Sequence, residues 1–142
     1  MKTLWRSLVL LGVVLVAISV HGQTKYLLSV DASTDDDVGK SFVFELKSAI
    51  ANSGVYRLVD KEQQVSGLQL SVVSLSSQGS NSNNESAAVS VVLTLKTDSG
   101  LPVLIQHWVV AVGRDTTASM AHRVLSQVDD EVSKLRQALS KP

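Results

Sequence analysis

Apolar and polar positions change period several times along this chain, and each change marks an expected element. The first block, "KYLLSVDAS" (25–33), is a Leu- and Val-rich run ending in turn formers, which predicts a strand. In "DDDVGKSFVFELKSAIANSG" the period becomes helical. Val38, Phe42, Leu46, Ala49, Ile50 and Ser53 fall on one side at about 100° per residue. Asp35, Asp36 and Asp37 stand at the positive amino end of that helix, and Gly54 supplies a stop. "VYRLVD" (55–60) predicts a short strand. "SGLQLSVVSL" (66–75) and "AAVSVVLTLK" (87–96) alternate apolar and polar residues. In the second of these, Val89, Val91, Leu93 and Leu95 share one face, with Ser90, Thr94 and Lys96 on the other. "PVLIQHWVVAV" (102–112) is apolar on both faces, the pattern of an internal strand. Last comes "DTTASMAHRVLSQVDDEVSKLRQALS", a helix whose stripe is Ala121, Leu125, Val128, Val132, Leu135 and Leu139.

The polar stretch "SSQGSNSNNES" (76–86) divides the chain and could be a linker or a hairpin tip. Each flanking strand has one apolar face and neither half can bury its own, so a hairpin tip is expected. The elements then run β-α-β-β-β-β-α. A strand–helix–strand start predicts a crossover joining two parallel strands, and the later strands predict an antiparallel meander. The expected fold is α+β: a two-layer sandwich with a mixed, mostly antiparallel sheet and two helices on one face.

The amino terminus changes the picture of where this domain works. "MKTLWRSLVLLGVVLVAISVHGQ" has Lys2 and Arg6, an uncharged run from Ser7 to Val20, then small residues before Gln23. That is the layout of a secretory signal peptide cleaved between Gly22 and Gln23. The apolar run is short against the roughly 20 residues of a spanning helix. Residues 1–22 are therefore expected to be signal and 23–142 a single α+β domain, exported to the periplasm or the medium, with no membrane span after cleavage. Removing Lys2 and Arg6 leaves 11 basic and 13 acidic residues, near neutrality. Nucleic-acid binding is not expected, because it needs a basic patch. The chain has no cysteine, so the expected stability comes from apolar packing without disulfides.

Candidate chemistry is sparse. His107 lies in an apolar run beside Trp108 and is expected to be partly buried; His122 falls on the polar side of the last helix. Two such histidines without cysteine form no zinc pattern. No serine sits in a nucleophile motif, and "VGKS" at 38–41 lacks the upstream glycine of a phosphate loop. Asp60 and Glu62 are close in sequence, but in an expected surface turn. No catalytic residue, cofactor site or metal site is assigned. The strongest constellation is "VDASTDDD": Asp31, Ser33, Asp35, Asp36 and Asp37. Clustered carboxylates suit a hard cation, yet acidic residues before a helix are also what capping and the macrodipole favour. Two aromatics remain as partner-contact candidates. Phe44 lies opposite the apolar stripe of the first helix, with Lys40 and Lys47, and Trp108 lies in the last strand.

The residues also carry resemblances. "VDASTDDD" resembles the opening of the metal-ion-dependent adhesion site of von Willebrand factor A domains, D-x-S-x-S, without its second serine. The helix-to-strand junction "VGKSFVFELKSAIANSGVYRLVD" resembles small envelope domains of bacteria. These are the amino-terminal domain of the Tol propeller protein and lipoproteins of the curli-secretion and penicillin-binding-protein-activator type. The whole mature chain is similar to short exported bacterial domains of unknown function. The resemblance implies an exported, non-catalytic binding or assembly domain of the envelope with a protein partner. The alternatives are a calcium-dependent adhesion-like module using the Asp31–Asp37 turn, and an enzyme with an unrecognised site.

Mass spectrometry of the exported protein should find a chain beginning at Gln23, with or without cyclisation of that glutamine. Intact Met1 to Gly22 in the membrane fraction would show that the leader is retained as an anchor.

Overall fold

A computed structural model describes residues 25–64, 66–77, 85–97 and 101–140. The Gly22–Gln23 junction and the tip of the 76–86 loop lie outside these residues. The elements are β1 (Tyr26–Ser33), α1 (Asp37–Ala51), β2 (Tyr56–Val59), a 3-10 turn (Lys61–Gln63), β3 (Gly67–Ser77), β4 (Ser86–Lys96), β5 (Pro102–Gly113), a second 3-10 turn (Arg114–Thr116) and α2 (Thr117–Leu139). This is the expected β-α-β-β-β-β-α order. The strands form one sheet in the order β2-β1-β3-β4-β5. β1 runs parallel to both β2 and β3, while β3, β4 and β5 form an antiparallel meander whose ladders are the longer ones. β3 and β4 pair directly across the 76–86 loop, Ser77 opposite Ser86.

Side-chain alternation decides which face carries the core. Leu28 and Val30 of β1, Leu68, Leu70 and Val72 of β3, and Val89, Val91 and Leu93 of β4 point to one face and are buried. Against them lie Phe42, Leu46 and Ile50 of α1 and Val124, Val128 and Val132 of α2. The two helices also pack on each other. The expected stripe of the last helix is buried as far as Val132, but Leu139 is exposed because the helix outruns the sheet. Among the described residues no helix is long and apolar enough to cross a membrane.

β5 departs from expectation. Its apolar pattern on both faces suggests an internal strand, yet it forms one edge of the sheet. The pattern reports how apolar the surroundings of a strand should be, and it is blind to how many neighbours the strand has.

The start of α1 is fastened to β3 by Asp36. Its carboxylate accepts from the Gly39 amide at 2.7 Å and from the Ser74 hydroxyl. Gly39 makes the approach possible, since a Cβ there would lie 2.0 Å from Ser74 Oγ. Burial pushes the Asp36 ionisation up, but the Ser74 and Gly39 hydrogen bonds and nearby Lys40 outweigh it, so its pKa is lowered. Gly54, in contrast, does not close α1 in a left-handed conformation; the C-cap is Asn52 and the only positive-φ residue described is Gly67.

Gly67 sits where the chain crosses from β2 to β3. Ser29 and Asp31 face away from the helices, and residues 60–66 pass over that side of β1. There the Ser29 hydroxyl donates to Gln64 Oε1, and Lys61 pairs with Asp31. Gln64 Nε2 donates to Leu68 O at 3.0 Å and Leu27 O at 3.4 Å, and Lys96 Nζ reaches Gln64 O at 2.9 Å. A Cβ on Gly67 would come within 2.6 Å of Gln64 Nε2 at a φ of +128°.

Two outcomes follow for stability. Gly67→Ala should cost about 1–3 kcal/mol in chemical denaturation, from backbone strain and the contact with Gln64, whereas Gly54→Ala, with nothing near its added methyl, should stay within about 0.5 kcal/mol. Asp36→Ala should cost about 1 kcal/mol at neutral pH through loss of the cap. Because the folded carboxyl titrates below the ordinary value of 3.8, its advantage over Asp36→Asn is present above that value. It should fade as pH falls through the folded-state pKa. A difference between the two proteins that persists unchanged in strong acid would refute this account of the cap.

Candidate functional site

The residues of "VDASTDDD" are each drawn to a different place. Asp31 is on the helix-free face of β1, paired with Lys61. Ser33 is exposed at the end of the same strand, and Asp35 is exposed beyond it. Asp36 caps α1, and Asp37 lies 3.9 Å from Lys40 across one helical turn. Capping and ion pairing account for these contacts, and among the described residues no three His, Asp or Glu side chains are placed to share a metal ion. Asp60 and Glu62 are exposed at the 3-10 turn.

The aromatic candidates separate. Phe44 is 70% exposed on the outer face of α1, with Lys40 and Lys47 exposed on the same helix. Trp108 is half-buried and packs against the core. His122 is exposed on α2. His107 is exposed too, which corrects the expectation that it is partly buried. It points to the sheet face without helices, where its Nε2 lies 3.0 Å from Ser90 Oγ. Inside an apolar sequence run it was assigned apolar surroundings, but alternation turns it to the bare face.

Trp108 leads to a concavity. A groove of about 630 Å³ runs between β5 and the first turns of α2, lined by His107 to Ala111 on one wall and Met120, Arg123 and Gln127 on the other. Its origin is the path of α2. The helix starts immediately after β5, yet by Arg136 its guanidinium stacks 6.0 Å over the ring of Tyr26 in β1. A helix that crosses the sheet in this way leaves the far half of β5 without cover, so Val103, opposite Leu95 on the helix-facing side, remains 50% exposed. A register irregularity at Leu93/Thr94 marks the same half.

The helix-free face beside the groove is apolar as well. Leu75, Ala88 and Ala111 lie in one cross-strand row, and Val73, Ser90 and Val109 in the next. Leu75 is 70% and Val109 66% exposed. Contiguous exposed apolar surface of this kind marks contact with another molecule. The second half of β5 is thus apolar on both sides and open along its edge. Sequence reasoning singled out Trp108 but missed the rest of the groove, because Met120, Arg123 and Gln127 join it only through the path of α2. The available signal was the absence of any Asp, Glu, Lys or Arg from Pro102 to Gly113.

A second polar spot lies under the far part of α2. Tyr56 is buried, and burial together with nearby Asp129 pushes its ionisation above the ordinary tyrosine range. Neither the Tyr56 hydroxyl nor Asp129 Oδ1 has a hydrogen-bond partner. Tyr56 also stacks against Tyr26, ring centroids 6.4 Å apart.

No family model and no curated protein matches the chain. Solved structures do. A PelC dodecamer from Paraburkholderia phytofirmans superimposes with a TM-score of 0.54 at 13% identity, covering 74% of this chain and 88% of that one. A DUF330 protein from Xanthomonas campestris gives 0.56 at 8% identity, covering 84% and 92%. A minor lipoprotein from Acinetobacter baumannii gives 0.46 at 11% identity, covering 77% and 94%. At these identities the likeness is one of fold alone.

Proposed function

We propose that this chain is an exported, non-catalytic binding or assembly domain of the bacterial cell envelope, and that β5 with its groove is the working surface. The observation that carries the proposal is the second half of β5: a charge-free edge strand, apolar on both faces, beside a groove holding Trp108. Edge strands are ordinarily protected by charge, proline or a covering element. A strand left so open fits a surface that another chain covers. The groove offers contact rather than acid–base chemistry. Its lining carries no carboxylate, and the His107 imidazole is turned away to Ser90 on the helix-free face. The leader-like sequence of residues 1–22 supports the location, and the dodecameric state of the PelC structure, a likeness of fold, supports an assembly role. Phe44, with Lys40 and Lys47, lies on α1 away from the groove lining and is the competing contact region.

Site-specific photocrosslinking in the intact envelope tests this. A photoreactive residue at Val109 should give a discrete adduct with an envelope protein or a second copy of the chain, and the same residue at Phe44 should give none. Adducts from Phe44 alone would move the surface to α1. Adducts from neither would remove the proposal.

A further inference from the structure

Three groups around the β5 groove lack partners, and each is of a different kind. Arg123 takes part in none of the ion pairs or hydrogen bonds among the described residues. Gln127 Oε1 is buried without a hydrogen-bond partner, an arrangement that carries a desolvation penalty. Among the described residues the outer backbone edge of β5 has no neighbouring strand. At its middle the His107 amide donates only to the carboxamide of its own neighbour, Gln106, at 3.0 Å. Alternate residues of a strand bond to the same side, so the backbone groups of Val109 and Ala111 point outward as that of His107 does. Pro102 and the register irregularity at Leu93/Thr94 obstruct pairing along the first half of β5. The second half has no such obstruction.

We propose that the groove binds an extended apolar peptide segment carrying a carboxylate, which adds to β5 as a sixth strand. The assignment rests on the reading of β5 as the binding surface and names the chemistry of its occupant. Backbone hydrogen bonds to His107, Val109 and Ala111 supply the register, as in other cases of strand addition. Apolar side chains on the strand's helix-facing side enter between Trp108 and Met120. The carboxylate meets Arg123, and a donor on the strand satisfies Gln127 Oε1. The lining favours this sign of charge, because Arg123 is its only formally charged residue. A second copy of the chain is a poorer occupant. Pairing β5 with its own image about Val109 carries both Arg123 side chains toward one axis, and like charges in opposed positions repel.

The test is fluorescence anisotropy with the purified exported protein. The probe is a labelled peptide of about seven residues, a usual strand length, alternating Val and Thr with a central Glu. It should bind saturably. Replacing its Glu by Lys should weaken binding about tenfold, the worth of one charge-assisted pair. Arg123→Glu should reverse that preference. N-methylation of alternate peptide amides should abolish binding without any change to the protein. Equal binding of the Glu and Lys peptides, or indifference to N-methylation, overturns the proposal. So does self-association by sedimentation that Val109→Lys removes, since the occupant is then a second copy. Failure of every peptide to bind also overturns it. If adducts at Val109 persist in that case, the surface stands and only its assigned occupant falls.

Discussion

The sheet order requires the chain to pass from one side of β1 to the other within residues 60–66, and Gln64 makes that passage possible. β2 and β3 both run parallel to β1 and flank it. A connection between them must therefore lie flat across β1 and satisfy the polar groups it covers. Gln64 does so with one buried side chain, accepting from Ser29 and donating to Leu68 O and Leu27 O. Ser29 is fully buried on the helix-free face, where its hydroxyl donates to Gln64 of the crossing segment. Left unpaired, either group would cost about 1–3 kcal/mol. Gly67, at a backbone angle open to glycine, lets β3 begin close beneath that amide.

Once β1 is enclosed, both helices are committed to the other face, and their unequal paths decide what stays open. α1 is held at its start by Asp36 and Ser74. α2 leaves β5 and ends over Tyr26. The core beneath them runs from β2 to Val112 of β5, whose other helix-facing residues are at most partly buried. The groove is the space between a strand that keeps its direction and a helix that leaves it.

The extents of the elements were legible because they are set by local period. The strand over 25–33 is observed over 26–33, and the helix ending before "NSG" closes at Ala51. The fold class followed from order alone. Strand neighbours were not legible, because pairing is non-local. Nothing in "PVLIQHWVVAV" says that one of its edges is free. His107 failed for a related reason: its sequence neighbours are apolar, but alternation places it over Ser90. Gln64 is one of two glutamines in a polar turn, and its value depends on lying above Ser29, which no local pattern reports. Asp31 to Asp37 were ambiguous in sequence, where they read as a cluster; the backbone distributes them among Lys61, the α1 cap and Lys40.

An open apolar edge is a hazard, and this chain has little electrostatic defence against it. Over residues 23–142 the formal charge is about −2, too small for self-repulsion to keep copies apart. Protection of the edge is instead local. Pro102 and the register irregularity obstruct the first half of β5, and the Gln106 carboxamide occupies the His107 amide in the middle. That last guard is a single neutral hydrogen bond, with a net worth of about 1 kcal/mol. A strand that offers several backbone bonds together with apolar burial displaces it at small cost, whereas a chance contact that forms only one such bond gains nothing by doing so. The edge is therefore closed to weak encounters and open to a matched strand, a form of selectivity that needs no charged residue on β5.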